Sequence, residues 1–432
     1  MKVDPRIRPW TRKDRRVYVF KNANIVNSND GTVSVGTDVM ISDGKIKAVS
    51  STTINEPDVI EIDAEGMYLC PGLIDCHVHL SFTPGTSTVT SLFSSDARES
   101  YFRQPYVCSQ MLKKGFTSVR DTAGATFALK EAIAEGVFPG PRLFISGKAL
   151  SQTGGHGDFR ARHEHDNCCG GRVSSQCLQL CDGVPECLKA ARQELRIGAD
   201  FIKIMAGGGV ASPFDAIPDL QFTPEEIKAI TTVAGNRNTY VTAHAYTPTA
   251  IKMAIENGVT CIEHGNNIDE ETATLMAQND VFLVPTLVTY SEMAETSWSD
   301  FLPSGMSEKN AEVLQDGLKS LLVAHKAGVV ICFGTDLLGP LVAAQTKEFA
   351  LRAQVLSAAE ILKSATVSAA KLVRHEELLG QIKPGYFADL LVLNTNPLED
   401  ISVFDRPMEH LMAVIKDGRV EVSQWDRLPT DV

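Results

Sequence analysis

The stretch Leu73-Ile-Asp-Cys-His-Val-His79 is a short apolar run that ends in two histidines one residue apart. Side chains two residues apart on a β-strand point to the same face, so His77 and His79 are directed together at one point while Cys76 and Val78 face away. Two imidazoles that converge at a strand end can begin a metal site. One pair is weak support for a metal, because paired histidines are also common on surfaces and in packed cores.

The chain beyond this stretch alternates short apolar runs with longer amphipathic segments. We identify eight such runs, at residues 73–77, 118–121, 142–145, 201–204, 240–243, 261–263, 281–284 and 329–333. Strands that alternate with helices indicate βαβ units and a parallel sheet. Eight units over this length predict an α/β fold of the (β/α)8 TIM-barrel type. A doubly wound open sheet is the alternative, and the absence of a G-x-G-x-x-G motif after the first strand disfavours its dinucleotide-binding form.

Both ends of the chain have a different pattern. Residues 17–63 contain β-rich segments separated by the turn signals Asn29-Asp-Gly31 and Asp43-Gly44, and the chain returns to β-rich segments past residue 380. The simplest arrangement pairs the two ends in a small β-sandwich domain. We therefore predict that residues 1–70 and 380–432 build this sandwich, and that residues 71–379 form the barrel.

Composition excludes several classes of protein. The 432 residues are 44% hydrophobic and 22% charged, with a formal net charge of −12, which disfavours nucleic-acid binding because that function needs a basic face. There is neither an apolar run long enough for a membrane span nor the apolar core of a signal peptide, so we expect a cytoplasmic protein with reduced thiols. Half of the ten cysteines cluster without C-x-x-C spacing, which disfavours a structural zinc and leaves a disulfide open: Cys168, Cys169, Cys177, Cys181 and Cys187.

Further polar residues lie at or near the ends of the other predicted strands: Lys203, His244, His264 and Asp336. In a parallel barrel these ends open on one face, so four histidines, one aspartate and one lysine can together hold two divalent metals. A lysine among apolar strand residues is costly unless it is paired or neutral, and burial lowers its pKa. A neutral amine can capture CO2 as a carbamate that bridges two metals. An acidic partner for Lys203 is the simpler alternative, but the other ligands favour the carbamate.

These motifs resemble the metal-dependent amidohydrolase superfamily, over about residues 17–418. The resemblance rests on Asp75-Cys-His-Val-His79, Lys203, His244, His264 and Gly334-Thr-Asp336. Ser151-Gln-Thr-Gly-Gly-His-Gly-Asp158 and Phe201-Ile-Lys-Ile-Met-Ala-Gly-Gly-Gly209 are similar to the imidazolonepropionase-like and prolidase-like branch, which includes ochratoxin-hydrolysing enzymes. The resemblance implies a homo-oligomer with a small-molecule substrate and two zinc ions bridged by carboxylated Lys203. His77, His79 and Asp336 would bind one ion, and His244 and His264 the other.

This site implies hydrolysis by a metal-activated hydroxide, with Asp336 carrying a proton from water to the leaving amine. His156, in a glycine-rich loop after the third strand, can hydrogen-bond an oxyanion or a substrate carboxylate. Tyr246 either contacts substrate or packs. Gly208, within Gly207-Gly-Gly209, either belongs to an anion-binding nest or is part of a flexible turn. His163 and His165 are expected in a solvated loop.

The favoured function is therefore a binuclear zinc hydrolase of amide bonds. It would release an amino acid, as a carboxypeptidase does, from an N-acyl amino acid, a dipeptide or an ochratoxin-type amide. One alternative is a mononuclear deaminase or cyclic-amide hydrolase of the same fold, which Lys203 disfavours because a single metal needs no bridging carbamate. The other is a catalytically inactive binding or scaffold protein, which would have no reason to retain a complete ligand set.

Overall fold

A computed structural model describes residues 6–12, 14–160, 162 and 173–431 of the chain. Within these residues the strands, numbered in chain order, are β1 (Tyr18–Asn27), β2 (Thr32–Ser42), β3 (Lys45–Ser50), β4 (Ile60–Asp63), β5 (Tyr68–Pro71), β6 (Leu73–Val78), β7 (Phe116–Asp121), β8 (Arg142–Ile145), β9 (Ala149–Ser151), β10 (Leu178–Leu180), β11 (Ile202–Met205), β12 (Val241–Ala245), β13 (Cys261–His264), β14 (Phe282–Val284), β15 (Leu390–Leu393), β16 (Leu411–Lys416) and β17 (Arg419–Ser423).

The helices lie mostly between the central strands. They are α1 (Val89–Ser94), α2 (Ala97–Lys113), α3 (Phe127–Glu135), α4 (Val173–Cys177), α5 (Gly183–Arg196), α6 (Pro224–Asn236), α7 (Pro248–Glu256), α8 (Glu270–Gln278), α9 (Leu287–Met293), α10 (Ser304–Lys326), α11 (Lys347–Arg352), α12 (Ala358–Ser364), α13 (Val367–Leu372) and α14 (Pro407–His410), with short 3-10 helices at Thr296–Trp298, Gly339–Ala344 and Ile401–Asp405. The local sequence explains where α7 begins. Thr247 caps α7 by accepting from the Ala250 N–H, with Pro248 in the first turn, where its missing N–H costs nothing.

The two ends of the chain share one mixed sheet. Its strand order is β17-β16-β15-β5-β1-β2-β3, and β4 pairs with β1. The ends meet where β15 runs antiparallel to β5, with Leu391 opposite Cys70. Since β5 leads through Gly72 into β6, this sheet is joined directly to the strand that carries His77. A two-layer sandwich remains a prediction.

The central strands are parallel, which confirms the α/β class. They lie in two sheets, with orders β6-β7-β8 and β10-β9-β11-β12-β13-β14. Seven of the eight predicted runs contain strands within one or two residues of the expected positions. The run at 329–333 instead has only an isolated bridge between Ile331 and Leu283. Its backbone explains this difference, because Phe333 donates its N–H to Ser364 rather than to a neighbouring strand.

The described cysteines of the predicted cluster are not paired in disulfides. Cys177, Cys181 and Cys187 are buried and free, whereas Cys168, Cys169, His163 and His165 lie outside the described residues. In the described part of the chain, no helix combines the length and the apolar character that crossing a bilayer would need.

Arg142 on β8 ties the central strands to the chain-end sheet. Its guanidinium donates to the carboxylates of Asp389 and Asp417 and lies 4.4 Å from the centre of the Phe387 ring. Asp389 is only 7% exposed. A buried carboxylate is costly without a cationic partner, so this contact stabilises the junction.

We expect Arg142→Ala to lower the free energy of unfolding by about 2–3 kcal/mol, because it leaves Asp389 buried without its cation. Chemical denaturation measures the loss. Arg98→Ala is the matched control, since Arg98 pairs with Asp96 on the surface, and its denaturation midpoint should equal that of the unmodified protein. Equal midpoints for both variants would contradict the role of Arg142.

Candidate active site and metal centre

The predicted ligands surround one cavity. It lies at the carboxyl ends of the parallel strands, where active sites of such folds are found. All six candidate ligands line it: His77, His79, Lys203, His244, His264 and Asp336. The structure thus brings together residues that span more than half of the chain.

His77, His79 and Asp336 form a group whose ligand atoms lie within 4.8 Å of one another, and which can hold a metal ion. Oδ1 of Asp336 is 3.3 Å from Nε2 of His77 and 3.0 Å from Nε2 of His79. The other two histidines adjoin this group. The ring of His264 is centred 5.0 Å from that of His77 and 4.5 Å from that of His244.

The hydrogen bonds of the four histidines fit a metal centre. In each ring one nitrogen contacts a protein oxygen: Nδ1 of His77 with Glu263 Oε2 (2.7 Å), Nδ1 of His79 with Ala123 O (3.3 Å), Nε2 of His244 with Gly208 O (3.1 Å) and Nδ1 of His264 with Thr286 Oγ1 (2.7 Å). A ring nitrogen that donates to such an oxygen leaves the other nitrogen unprotonated in a neutral imidazole. That is the state in which histidine binds a metal, and metal-binding histidines normally have such partners.

Glu263 is the central residue behind these ligands. It is fully buried on β13, and its carboxylate accepts hydrogen bonds from Arg120 of β7, from Thr242 of β12 and from Nδ1 of His77. Burial alone would raise the pKa of Glu263, but Arg120 first and His77 second hold it well below its ordinary value. Glu263 is therefore a carboxylate that orients His77.

Lys203 on β11 is 1% exposed. Burial lowers the pKa of its amine to about 8, although Glu263 and Asp336 attract its charge. A lowered pKa increases the neutral fraction of the amine near neutrality, and only the neutral amine reacts with CO2. The acidic neighbours agree with the simpler alternative, in which Lys203 pairs with a carboxylate. The burial agrees with the carbamate, which needs a neutral amine.

Two of the ligand candidates have strained backbones. His264 has φ of 76° and Asp336 has φ of 53°, in the left-handed region that non-glycine residues seldom adopt. Hydrogen bonds hold both conformations: Asp336 N–H donates to His77 O at 2.8 Å, and Gly265 N–H donates to Ala245 O at 3.0 Å.

Of the three residues predicted to contact substrate, His156 and Tyr246 line the cavity and Gly208 does not. His156 lines the cavity and stacks on His244, with ring centres 4.2 Å apart, and burial lowers its pKa to about 4. Tyr246 also lines the cavity, and its hydroxyl accepts from Tyr290 at 3.0 Å. Gly208 lies behind His244, and its N–H donates to Asp219 O. Because that amide is already engaged, substrate binding by Gly208 stays a prediction.

Few of the residues that orient the ligands can be predicted from the sequence. From the sequence, Glu263 is only a strand residue that precedes His264. Arg120 ends the second predicted strand and is expected to pair with Asp121 behind the ligands, whereas in the structure it pairs with Glu263. A charged residue inside an apolar strand was the available signal, and Glu263 carries it as clearly as Lys203 does. Thr286 and Tyr290, which both contact Nδ1 of His264, carry no comparable signal, because buried hydroxyl residues are common.

Comparisons with known proteins agree with this site. The sequence profile of the amidohydrolase family matches residues 68–420. Ochratoxinase of Aspergillus niger is 35% identical over 349 residues, which are 78% of this chain and 72% of that protein. Its crystal structure superposes with a TM-score of 0.81, at 31% identity over 94% of this chain and 96% of that one.

Two further solved structures cover nearly the whole chain. A prolidase in complex with N-methylphosphonate-L-proline is 41% identical, with a TM-score of 0.90 over 94% of this chain and 99% of the other. A Xaa-Pro dipeptidase with methionine bound in its active site is 31% identical, with a TM-score of 0.84 over the same shares. The chain belongs to the amidohydrolase family, and it is a hydrolase that acts on amide or peptide C–N bonds.

We expect Glu263→Gln to weaken metal binding roughly 10- to 100-fold, because His77 loses the carboxylate that orients it. The free energy of unfolding should also fall by about 3 kcal/mol, since Arg120 is left buried without its counter-ion. Competition with a chelator measures the affinity, and denaturation measures the stability.

Thr242→Val is the matched control for this experiment. It removes one hydrogen bond to Glu263 and leaves both Arg120 and His77 in place, so the loss of metal affinity should be much smaller than for Glu263→Gln. Equal losses for the two variants would show that the charge of Glu263 has no special role.

Proposed function

We propose that this protein is a binuclear zinc amidohydrolase that releases an amino acid from an N-acyl amino acid, a dipeptide or an ochratoxin-type amide. The observation that carries the proposal is the cavity in which four histidines, each with one ring nitrogen on a protein oxygen, meet Asp336 and a buried lysine. The names of the relatives support the substrate class, because ochratoxinase, prolidase and Xaa-Pro dipeptidase are among them.

In this proposal the ligands divide into two sets. His77, His79 and Asp336 would hold one ion, His244 and His264 would hold the other, and a carbamate on Lys203 would be a ligand of both. When bound, the metals lower the pKa of a water molecule and polarise the scissile carbonyl. Asp336 accepts the proton of the attacking water and passes it to the leaving amine. His156 and Tyr246 hydrogen-bond the substrate.

The proposed architecture is a (β/α)8 barrel over residues 71–379, with a sandwich from residues 1–70 and 380–432. Backbone hydrogen bonds support closure between β14 and β6 through the run 329–333. Cys332 N–H donates to Leu283 O, and Cys76 N–H donates to Phe333 O, each at 2.8 Å. A homo-oligomer is part of the same proposal and rests on the family alone.

Metal analysis tests the proposed centre first. Protein purified without chelator should contain about two zinc ions per chain, and Lys203→Met should contain about one or fewer, because the bridging ligand is gone. Elemental mass spectrometry measures both. Lys252→Met, which changes a surface lysine, should keep the full content. About one ion in the unmodified protein would instead favour the mononuclear alternative.

Turnover tests the reaction. The protein should release amine from at least one member of a panel of N-acyl amino acids, Xaa-Pro dipeptides and ochratoxin A. Asp336→Asn should lower kcat by roughly 10²- to 10⁴-fold while metal content and folding are checked in parallel, because the proton carrier is lost. No hydrolysis of any member would refute the substrate class, and near-normal turnover by Asp336→Asn would refute its acid–base role.

Asp280→Asn is the matched control. Asp280 is exposed and has φ of 52°, close to the 53° of Asp336, and asparagine tolerates this backbone conformation as aspartate does. It should therefore leave turnover unchanged.

A further inference from the structure

A polar cluster behind His156 is not used by the metal centre. It lies in the segment between β11 and α6 and joins Ser212, Asp215 and Gln221 to Lys309 of α10. Ser212 and Asp215 are almost completely buried, at 1% and 7% exposure. Nδ1 of His156 lies 2.7 Å from Oγ of Ser212, and that hydroxyl also contacts Oδ1 of Asp215.

The direction of these hydrogen bonds follows from chemistry. A serine hydroxyl has one proton to donate, and the neighbours of Ser212 Oγ other than His156 are the Asp215 carboxylate and, at 3.1 Å, Gly209 O. Both are acceptors only, so the Ser212 proton goes to one of them. Ser212 must then accept from His156, and the proton of the ring lies on Nδ1.

Packing holds the ring in the same orientation. His156 lies between the ring of His244 and the backbone of Gly209, where a Cβ atom would be 2.1 Å from Nδ1. The backbone N–H of His156 donates to Oε1 of Gln221, and the side-chain amide of Gln221 donates to Oδ2 of Asp215 at 2.9 Å. The ring of His156 is therefore linked to the Asp215 carboxylate through Ser212, and its backbone is linked to the same carboxylate through Gln221.

Lys309 anchors the cluster from the opposite side. Its amine donates to Gly209 O at 3.0 Å, to Ser212 O at 2.9 Å and to Asp215 Oδ1 at 3.3 Å. The Gly209 N–H also donates to Asp215 Oδ2 at 3.0 Å. The buried charge of Asp215 is thus paired and hydrogen-bonded, as a buried carboxylate must be.

We propose that Ser212 and Asp215 are positioning residues, which hold His156 against His244 with Nδ1–H bound to Ser212 and leave Nε2 for a molecule in the cavity. The inference rests on the proposed role of His156 in substrate binding. In the neutral ring Nε2 is a hydrogen-bond acceptor, so its partner is a donor, such as the N–H of an amide or a water molecule. An oxyanion, which needs a donor, is not the partner of this tautomer.

A double-mutant cycle tests the coupling. Ser212→Ala should lower kcat/KM roughly tenfold or more, mainly through kcat, with metal content unchanged. In the His156→Gln background the same change should have less than about a twofold effect on kcat/KM, since Ser212 acts through His156. The thermal unfolding midpoint should also fall in both backgrounds, because the buried Asp215 carboxylate loses a hydrogen bond. Ser212→Thr retains the hydroxyl and should restore most of the activity. An equal loss of kcat/KM in both backgrounds would mean that Ser212 only stabilises the loop, and would overturn the proposal.

Asp219→Ala is the control within the same segment. The carboxylate of Asp219 accepts from Ala216 N–H at 2.8 Å, and Asp219 has no contact with His156 among the described hydrogen bonds. Its kcat should stay within about twofold of the unmodified protein, because the His156 contacts remain. A loss equal to that of Ser212→Ala would also overturn the proposal.

A spectroscopic readout separates this inference from the proposed function. In protein labelled with ¹⁵N-histidine and loaded with zinc, the His156 signals are identified by their absence in His156→Gln. They should show a protonated Nδ1 in the unmodified protein and a change of tautomer in Ser212→Ala. A protonated Nε2 with bare Nδ1 in the unmodified protein would overturn the inference. Failure of all amide substrates would overturn only the proposed function, since the tautomer does not depend on turnover.

Discussion

The site depends on one buried charge, the carboxylate of Glu263. It accepts hydrogen bonds from side chains of three other strands, namely Arg120 of β7, Thr242 of β12 and His77 of β6. In a low-dielectric interior a carboxylate is tolerated only when its partners are all in place. The hydrogen bonds to Glu263 therefore fix both the register of these four strands and the orientation of His77. Apolar contacts alone would not require this register, because they are not directional.

Around this centre, the cavity is organised by oxygens that hold one nitrogen of each histidine. These oxygens come from different places: a carboxylate for His77, backbone carbonyls for His79 and His244, and a hydroxyl for His264. The same logic extends to His156, whose ring is held by Ser212 and packed on Gly209. Preorganisation of this kind explains why two left-handed residues, His264 and Asp336, are maintained despite their strain.

The chain-end sheet is connected directly to the first ligand strand. β5 passes through Gly72 directly into β6, and a Cβ atom at Gly72 would lie 2.1 Å from Oγ1 of Thr117 at the start of β7. Glycine therefore permits the close approach of the two chain segments before the ligand strand begins. Arg142 adds a second connection by pairing with Asp389 and Asp417 from the C-terminal part of the chain.

The alternation of strands and helices and the six candidate ligands can be predicted from sequence patterns. Both are local, because strand periodicity directs His77 and His79 to one face and parallel strands end on the same side. Three further features become visible only in the folded chain: the oxygen that orients each histidine, the pairing of Glu263 with Arg120, and the contact of Ser212 with His156 across 56 residues of chain. Such pairs join distant segments through side-chain direction and burial, and single-sequence patterns contain neither. The run 329–333 shows the same limit, since its hydrogen bonds divide among partners that only the folded chain brings together.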